Sequence, residues 1–292
     1  MNYIELHNIA KSFDNKNYIL KDINLSLHQG DRVGIIGGIG SGKTTLLRII
    51  LGLYTPTSGK INRNISNHEI GYLPSTKGII EEFTVRENLI FWSQTYQSPI
   101  HVVEELIDRL NMDKMADKKV SLLSSGMKQK LAFACSIIHS PKLLILDEPT
   151  VNLDVENRSL IKKFIQEYPK ESCIVITSHN FDDIEHMCNR IVMIVDGTIK
   201  VKEELNKLKS DFQSSLVRIR TISKINQQQS ILIKEEFPNV LVKDHEVILD
   251  KQIYKLNDVL LKLIHLNIEI RDVLENEAIL EDIYLRLNKK EG

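Results

Sequence analysis

Apolar and polar residues alternate over positions 3–9 and 23–28, a period of two that predicts strands of an N-terminal antiparallel sheet. After the turn at Gln29-Gly30-Asp31 the pattern changes. Val33-Gly34-Ile35-Ile36 reads as a short buried strand, and Thr45 to Leu51 as an apolar-rich helix closed by glycine and proline. Lys60-Ile61-Asn62 and Ile70-Gly71-Tyr72-Leu73 are short strand candidates. The middle of the chain turns helical. Thr84 with Glu87 three residues later fits a capping box for a helix to Tyr96, and Val103, Leu106, Ile107 and Leu110 line one face of a second helix. A third helix spans Leu131 to His139.

From there apolar strands alternate with helices. Leu143 to Leu146 is apolar on both faces and runs into Asp147-Glu148; Ser172 to Ser178 does the same and ends on His179. Helices over Ser159–Tyr168 and Asp182–Cys188 separate these strands, and Arg190 to Val195 is a further strand. Such alternation predicts an α/β fold with a mostly parallel sheet. Past about residue 205 the order becomes strand (Leu216–Thr221), helix (Ile225–Glu236), hairpin (Val240–Lys243, Val247–Leu249), helix (Leu256–Leu266) and strand (Ile268–Val273). A last helix follows over Ala278–Leu287. That β-α-β-β-α-β order predicts a small ferredoxin-like α+β module. The expected division is therefore 1–205, with a helical subdomain over about 76–140, and 206–292.

Composition narrows the class. Of 292 residues 42% are hydrophobic, enough for a packed core, and the formal charge of −1 gives no bulk attraction to nucleic acid or anionic lipid. Cys135, Cys173 and Cys188 form no C-x-x-C pair and read as buried thiols of a reducing compartment. The first residues lack the basic and apolar regions of a secretory signal, and no apolar run reaches the roughly 18 residues of a membrane span. Any membrane part is therefore expected on another chain.

The chemistry concentrates between the predicted strand at 33–36 and the helix after it. Gly37-Gly38-Ile39-Gly40-Ser41-Gly42-Lys43-Thr44 fits G-x-x-x-x-G-K-[ST], the phosphate-binding loop, in its required strand–loop–helix setting. Glycines let the backbone wrap phosphate oxygens, and the amides at the helix start, including that of Thr45, point at them. Lys43 is placed to hold the β- and γ-phosphates and Thr44 to offer its hydroxyl to Mg²⁺. A dinucleotide frame, G-x-G-x-x-G from Gly38, fails because its last position is Lys43. Asp147 reads as a second Mg²⁺ ligand, and Glu148 as the base that deprotonates an attacking water. His179, at a strand tip, is placed to donate to the γ-phosphate.

Leu123-Ser124-Ser125-Gly126-Met127, set between the phosphate loop and Asp147-Glu148, completes an order that resembles the nucleotide-binding domain of ABC transporters. The family's signature there is usually Leu-Ser-Gly-Gly-Gln. The resemblance implies that Ser124, Ser125 and Gly126 close over ATP held by the phosphate loop of a second subunit. It also implies that Asp154, in Val151-Asn152-Leu153-Asp154, lies at the dimer seam, and that Phe13 stacks on adenine. Two positions depart from the family. Ser75 follows Tyr72-Leu73-Pro74 where a metal-sensing glutamine is usual, and reaches a metal only through water. Ile39 stands where asparagine is frequent, at a place where the backbone N–H does the binding.

The resemblance covers residues 1 to about 205. Thr84 to Leu89, Ser125 to Lys130 and Ile279 to Tyr284 look like the export branch, which moves drugs, peptide antibiotics, lipids or polysaccharides. It implies an ATPase subunit that uses ATP and Mg²⁺ as a homo- or heterodimer, on a separate membrane permease at the cytoplasmic face of the membrane. The competing reading is a soluble ABC-type ATPase acting on ribosomes or DNA. Against it stand a single cassette, no heptad tract and no basic excess. Scattered charges over 206–292 read as a solvated face.

Overall fold

The computed structural model describes residues 1–14, 16–75, 78–213, 216–275 and 280–289. It separates into two compact units, Met1–Lys202 and Glu203–Gly292.

In the first unit, β1 (Asn2–Ser12), β2 (Tyr18–His28) and β4 (Ser58–Arg63) form an antiparallel sheet in the order β2-β1-β4. A six-stranded sheet carries β3 (Arg32–Gly37), β5 (Ile70–Leu73), β6 (Leu143–Asp147), β7 (Cys173–Thr177), β8 (Arg190–Val195) and β9 (Thr198–Glu204). Its order is β5-β6-β7-β3-β8-β9, and β5, β6, β7, β3 and β8 run parallel. Every residue of β6 and of β7 is buried, as a central parallel strand covered on both faces requires. The helix α1 (Lys43–Ile50) lies in the core that the two sheets share. Its Leu46, Leu47, Ile49 and Ile50 pack with Ile4, Leu6 and Leu25 of the antiparallel sheet and with Val33, Ile145 and Val175 of the parallel one.

Helices α2 (Val85–Thr95), α3 (His101–Arg109) and α4 (Ser125–Ile137) form the helical region. Residues 76 and 77, at its expected start, lie outside the described residues. The Thr84–Glu87 capping box is present with both of its hydrogen bonds. Helices α5 (Val155–Glu167) and α6 (Phe181–Met187) flank β7 in sequence. Two helices begin earlier than the apolar pattern indicates: Ser124 caps α4 and Asp154 caps α5, each accepting from the amide three residues on.

The second unit opens with α7 (Leu205–Gln213), which the sequence pattern did not separate from its polar surroundings. Then come β10 (Leu216–Thr221), α8 (Gln227–Glu236), β11 (Leu241–Lys243), β12 (Glu246–Asp250), α9 (Leu256–His265), β13 (Ile270–Glu275) and α10 (Leu280–Lys289). The antiparallel sheet β11-β12-β10-β13 is built on the expected β-α-β-β-α-β order. One face buries Val217, Ile219, Val247 and Leu249 with Ile233 of α8 and Val259 and Leu263 of α9. The alternate residues bear charge toward α10: Arg218 pairs with Asp282, Lys243 with Glu281 and Asp282, and Asp250 with Arg286. Ala278 and Ile279, expected to open the last helix, lie outside the described residues.

Candidate active site

Strand register puts the chemistry on one edge. Ile35 pairs with Thr177, and Thr177 with Asp147, so β6 and β7 end level with one another and β3 runs two residues further, to Gly37. Beyond those C-terminal ends lie the loop 38–42, Glu148 and His179, where open parallel sheets hold their ligands.

Gly40 and Gly42 take φ of 79° and 101°, in the left-handed region. A Cβ on Gly42 would lie 2.6 Å from Leu20 Cδ2, whereas at Gly40 it would meet open space. A Cβ on Gly37 would lie 2.5 Å from the carbonyl oxygen of Ile194. Gly38, Ile39 and Gly40 are exposed, and Ile39 is 96% exposed, so its side chain leaves the loop's backbone accessible. Lys43 is buried and its Nζ donates to the carbonyls of Gly37 at 2.7 Å and Gly38 at 3.0 Å. Burial lowers its pKa, against the upward pull of Glu148 and Asp147. The loop is built for an anion. Ser41 Oγ is buried with no hydrogen-bond partner, the N-cap Gly42 offers no side-chain acceptor, and the first turn of α1 holds no acidic residue. Thr44 and Thr45 are half-buried on that same turn.

Asp147 is 2% exposed and its two oxygens are divided. Oδ1 accepts from Thr177 Oγ1 at 2.6 Å and Oδ2 from Thr44 Oγ1 at 3.2 Å. Thr44 and Asp147 thus present adjoining hard oxygen donors, the set that suits Mg²⁺ beside a phosphate. Glu148 adopts φ of 56°, a left-handed backbone unusual for a residue with a Cβ. Its N–H donates to Thr177 O at 3.2 Å and to Thr177 Oγ1 at 3.1 Å. Its Oε2 accepts from His179 N at 3.3 Å; Oε1 lies 3.3 Å from His179 Nε2 but outside hydrogen-bond geometry, a buried acceptor without a partner. Burial raises the Glu148 pKa, the charges of His179 and Lys43 lower it, and Asp147 raises it further.

Ser124, Ser125 and Gly126 stand at the start of α4, the two serines exposed. Gly126 packs on the loop that follows Glu148: a Cβ there would come within 2.9 Å of Asn152 O. Asp154 caps α5, accepting from Asn157 N at 2.8 Å, and this bond holds its carboxyl below the usual range. Phe13 is exposed, packed edge-on to Tyr54 at 5.3 Å with the Lys11 ammonium over its ring. Ser75 is exposed, two residues past Leu73, the β5 residue that pairs with Leu146.

Two residues of the site went unread in the sequence. Thr177 holds both Asp147 and the Glu148 amide, and its signal is a hydroxyl at the end of an apolar strand. Gln129, 2% exposed, donates to the carbonyls of Glu148 at 3.2 Å and Pro149 at 3.4 Å.

A glycine loop opening a buried helix, with a Thr–Asp pair and an adjacent glutamate at the ends of neighbouring parallel strands, defines a P-loop nucleoside-triphosphatase. The ABC transporter family model matches residues 20–151. The chain is 32% identical over 208 residues to the Nod factor export ATP-binding protein I of Bradyrhizobium diazoefficiens, covering 66% of this chain and 68% of that protein. It is 30% identical over 240 residues to the ABC transporter ATP-binding protein NatA of Bacillus subtilis, covering 76% of this chain and 98% of NatA. A bacterial ABC transporter cassette solved as a dimer superposes with a TM-score of 0.62 at 25% identity, covering 69% of this chain and 98% of the cassette. The chain belongs to the ABC transporter ATP-binding family. It is an ATPase of that family, whose members dimerise and pair with membrane subunits. Among the described residues no helix is long and apolar enough to cross a membrane.

Proposed function

We propose that this chain is the ATP-hydrolysing subunit of an export system, working as a dimer on a separate membrane permease at the cytoplasmic face. The observation that carries the reading is Glu148: a half-buried carboxylate whose buried Oε1 has no hydrogen-bond partner, beside His179 just past the end of β6. Export is supported by the likeness to the Nod factor export protein. The cargo class consistent with that branch is a drug, peptide antibiotic, lipid or polysaccharide.

In this reading the amides of residues 38–45 and the Lys43 ammonium bind the triphosphate, Lys43 exchanging its two loop carbonyls for phosphate oxygens. Thr44 and Asp147 would hold Mg²⁺, which would supply positive charge against the phosphates, and Ser75 would contribute to it only through water. Phe13 stacks on the base. Ser124, Ser125 and Gly126 of the partner subunit close over the γ-phosphate, with Asp154 at the seam. Glu148 Oε1 takes a proton from the attacking water, and His179 donates to the γ-phosphate.

Glu148→Gln tests the assignment of the base. Turnover should fall by about two orders of magnitude or more, with ATP binding and ATP-driven dimerisation retained. Turnover near that of the native chain would overturn it. Co-purification with a multi-span membrane protein tests the permease, and its absence from a native complex would contradict that part.

A further inference from the structure

The turn after β6 is gripped from three elements. Thr177 of β7 takes the Glu148 amide, and Thr150 Oγ1 donates to the buried Asp183 of α6 at 2.5 Å. The third grip comes from α4. Burying a primary amide is costly unless its protons find acceptors, and the Gln129 amide spends its donors on the consecutive carbonyls of Glu148 and Pro149. Glu148 is therefore clamped at both its N–H and its C=O while its backbone holds φ of 56°. The carboxylate's direction rests on that backbone and on the one hydrogen bond its Oε2 accepts from His179 N, Oε1 having no hydrogen-bond partner.

The same helix touches the segment again one turn earlier. Gly126 approaches Asn152 O so closely that a Cβ would lie 2.9 Å from it. Residues three apart share a helix face, so Gly126 and Gln129 both bear on residues 148–152. We propose that Gln129 is a positioning residue for hydrolysis, tying the helix that begins at Ser124–Gly126 to the backbone of Glu148. This rests on the reading above, in which Ser124–Gly126 meet the partner's nucleotide and Glu148 is the base. A nucleotide in the partner subunit then acts, through α4, on the base of this chain's own site.

The test is a series of full-length variants: Gln129→Leu, which removes the donor; Gln129→His, whose Nε2 can restore one; and Glu148→Gln as reference. In Gln129→Leu, kcat should fall by about tenfold to a hundredfold, while the Kd for a non-hydrolysable ATP analogue stays within about threefold. Gln129→His should recover most of the loss. Turnover of Gln129→Leu within about twofold of the native chain would overturn the proposal, as would affinity falling in step with kcat. If the leucine variant does not fold, Gln129→Glu, equal in length but without the donated protons, must show the same split; normal turnover there also overturns it. The reference keeps the two readings apart. Normal turnover in Glu148→Gln refutes the base itself, whereas an inactive Glu148→Gln beside a fully active Gln129→Leu refutes only the role of Gln129.

Discussion

Thr177 donates to Asp147 at 2.6 Å, between strands that pair at those same two residues. The threonine fixes one carboxylate oxygen and leaves the other facing Thr44. In the proposed reading Asp147 is a metal ligand, and residues that orient such a ligand typically carry about tenfold to a hundredfold in metal affinity or activity. Thr177→Val keeps the strand's shape and removes the hydroxyl. ATPase activity should fall by that order, and the Mg²⁺ concentration giving half-maximal rate should rise, as a Mg²⁺ titration of steady-state turnover would measure.

Gly42 is the point where the loop becomes a helix. With φ of 101° and Leu20 Cδ2 2.6 Å from where a Cβ would stand, Gly42→Ala meets both backbone strain and a clash. The left-handed conformation alone costs about 1–2 kcal/mol for a residue with a Cβ. Thermal unfolding should show at least that loss, and an ATP analogue should restore less stability than it does in the native chain.

Much of this site was legible in the sequence, for local reasons. The phosphate loop is a contiguous motif, and β6 shows itself because both faces are buried and both are apolar. The Thr84 cap carries its own partner three residues on. What was not legible depends on neighbours distant in the chain. Thr177 and Gln129 matter because β7 pairs with β6 and because α4 packs under residue 148. The start of α4 was hidden because Gln129 and Lys130 are polar yet buried, 2% and 4% exposed. The start of α5 was hidden because Val155, its first residue, is 86% exposed and stands off the apolar stripe. For β9, the run Lys200 to Glu204 has little apolar signal, being half exposed along its length.

In the second unit, Arg218 lies between Glu246 and Asp282, with both Arg218 and Asp282 buried. Burial raises the Asp282 carboxyl pKa, Arg218 and Lys243 pull it down, and Glu281 adds a small upward push. Arg218→Met removes the central cation but leaves Asp282 its Lys243 and Glu246 its Arg220, so the loss near neutral pH should stay below the roughly 3–5 kcal/mol of a buried charge stripped of every partner. A carboxyl whose folded pKa lies above its unfolded value favours the folded state more as pH falls through the folded pKa, and losing Arg218 raises that pKa further. The stability deficit of Arg218→Met should therefore shrink in mildly acidic solution. Hydrogen exchange in α10 at pH 7.5 and pH 5 checks this; a deficit that grows on acidification would contradict it.

The central claim is that each nucleotide is held by one subunit's loop and sealed by the other's Ser124–Gly126. Two variants, both carrying Glu148→Gln to prevent turnover, test it directly: Lys43→Ala, which weakens the loop, and Gly126→Asp, which blocks the sealing corner. Their mixture contains one intact composite site per mixed pair if sealing occurs across subunits, and none if it occurs within a subunit. Sedimentation with Mg·ATP should show dimers in the mixture that neither variant forms alone; a mixture that stays monomeric while Gly126→Asp still binds ATP would contradict the account.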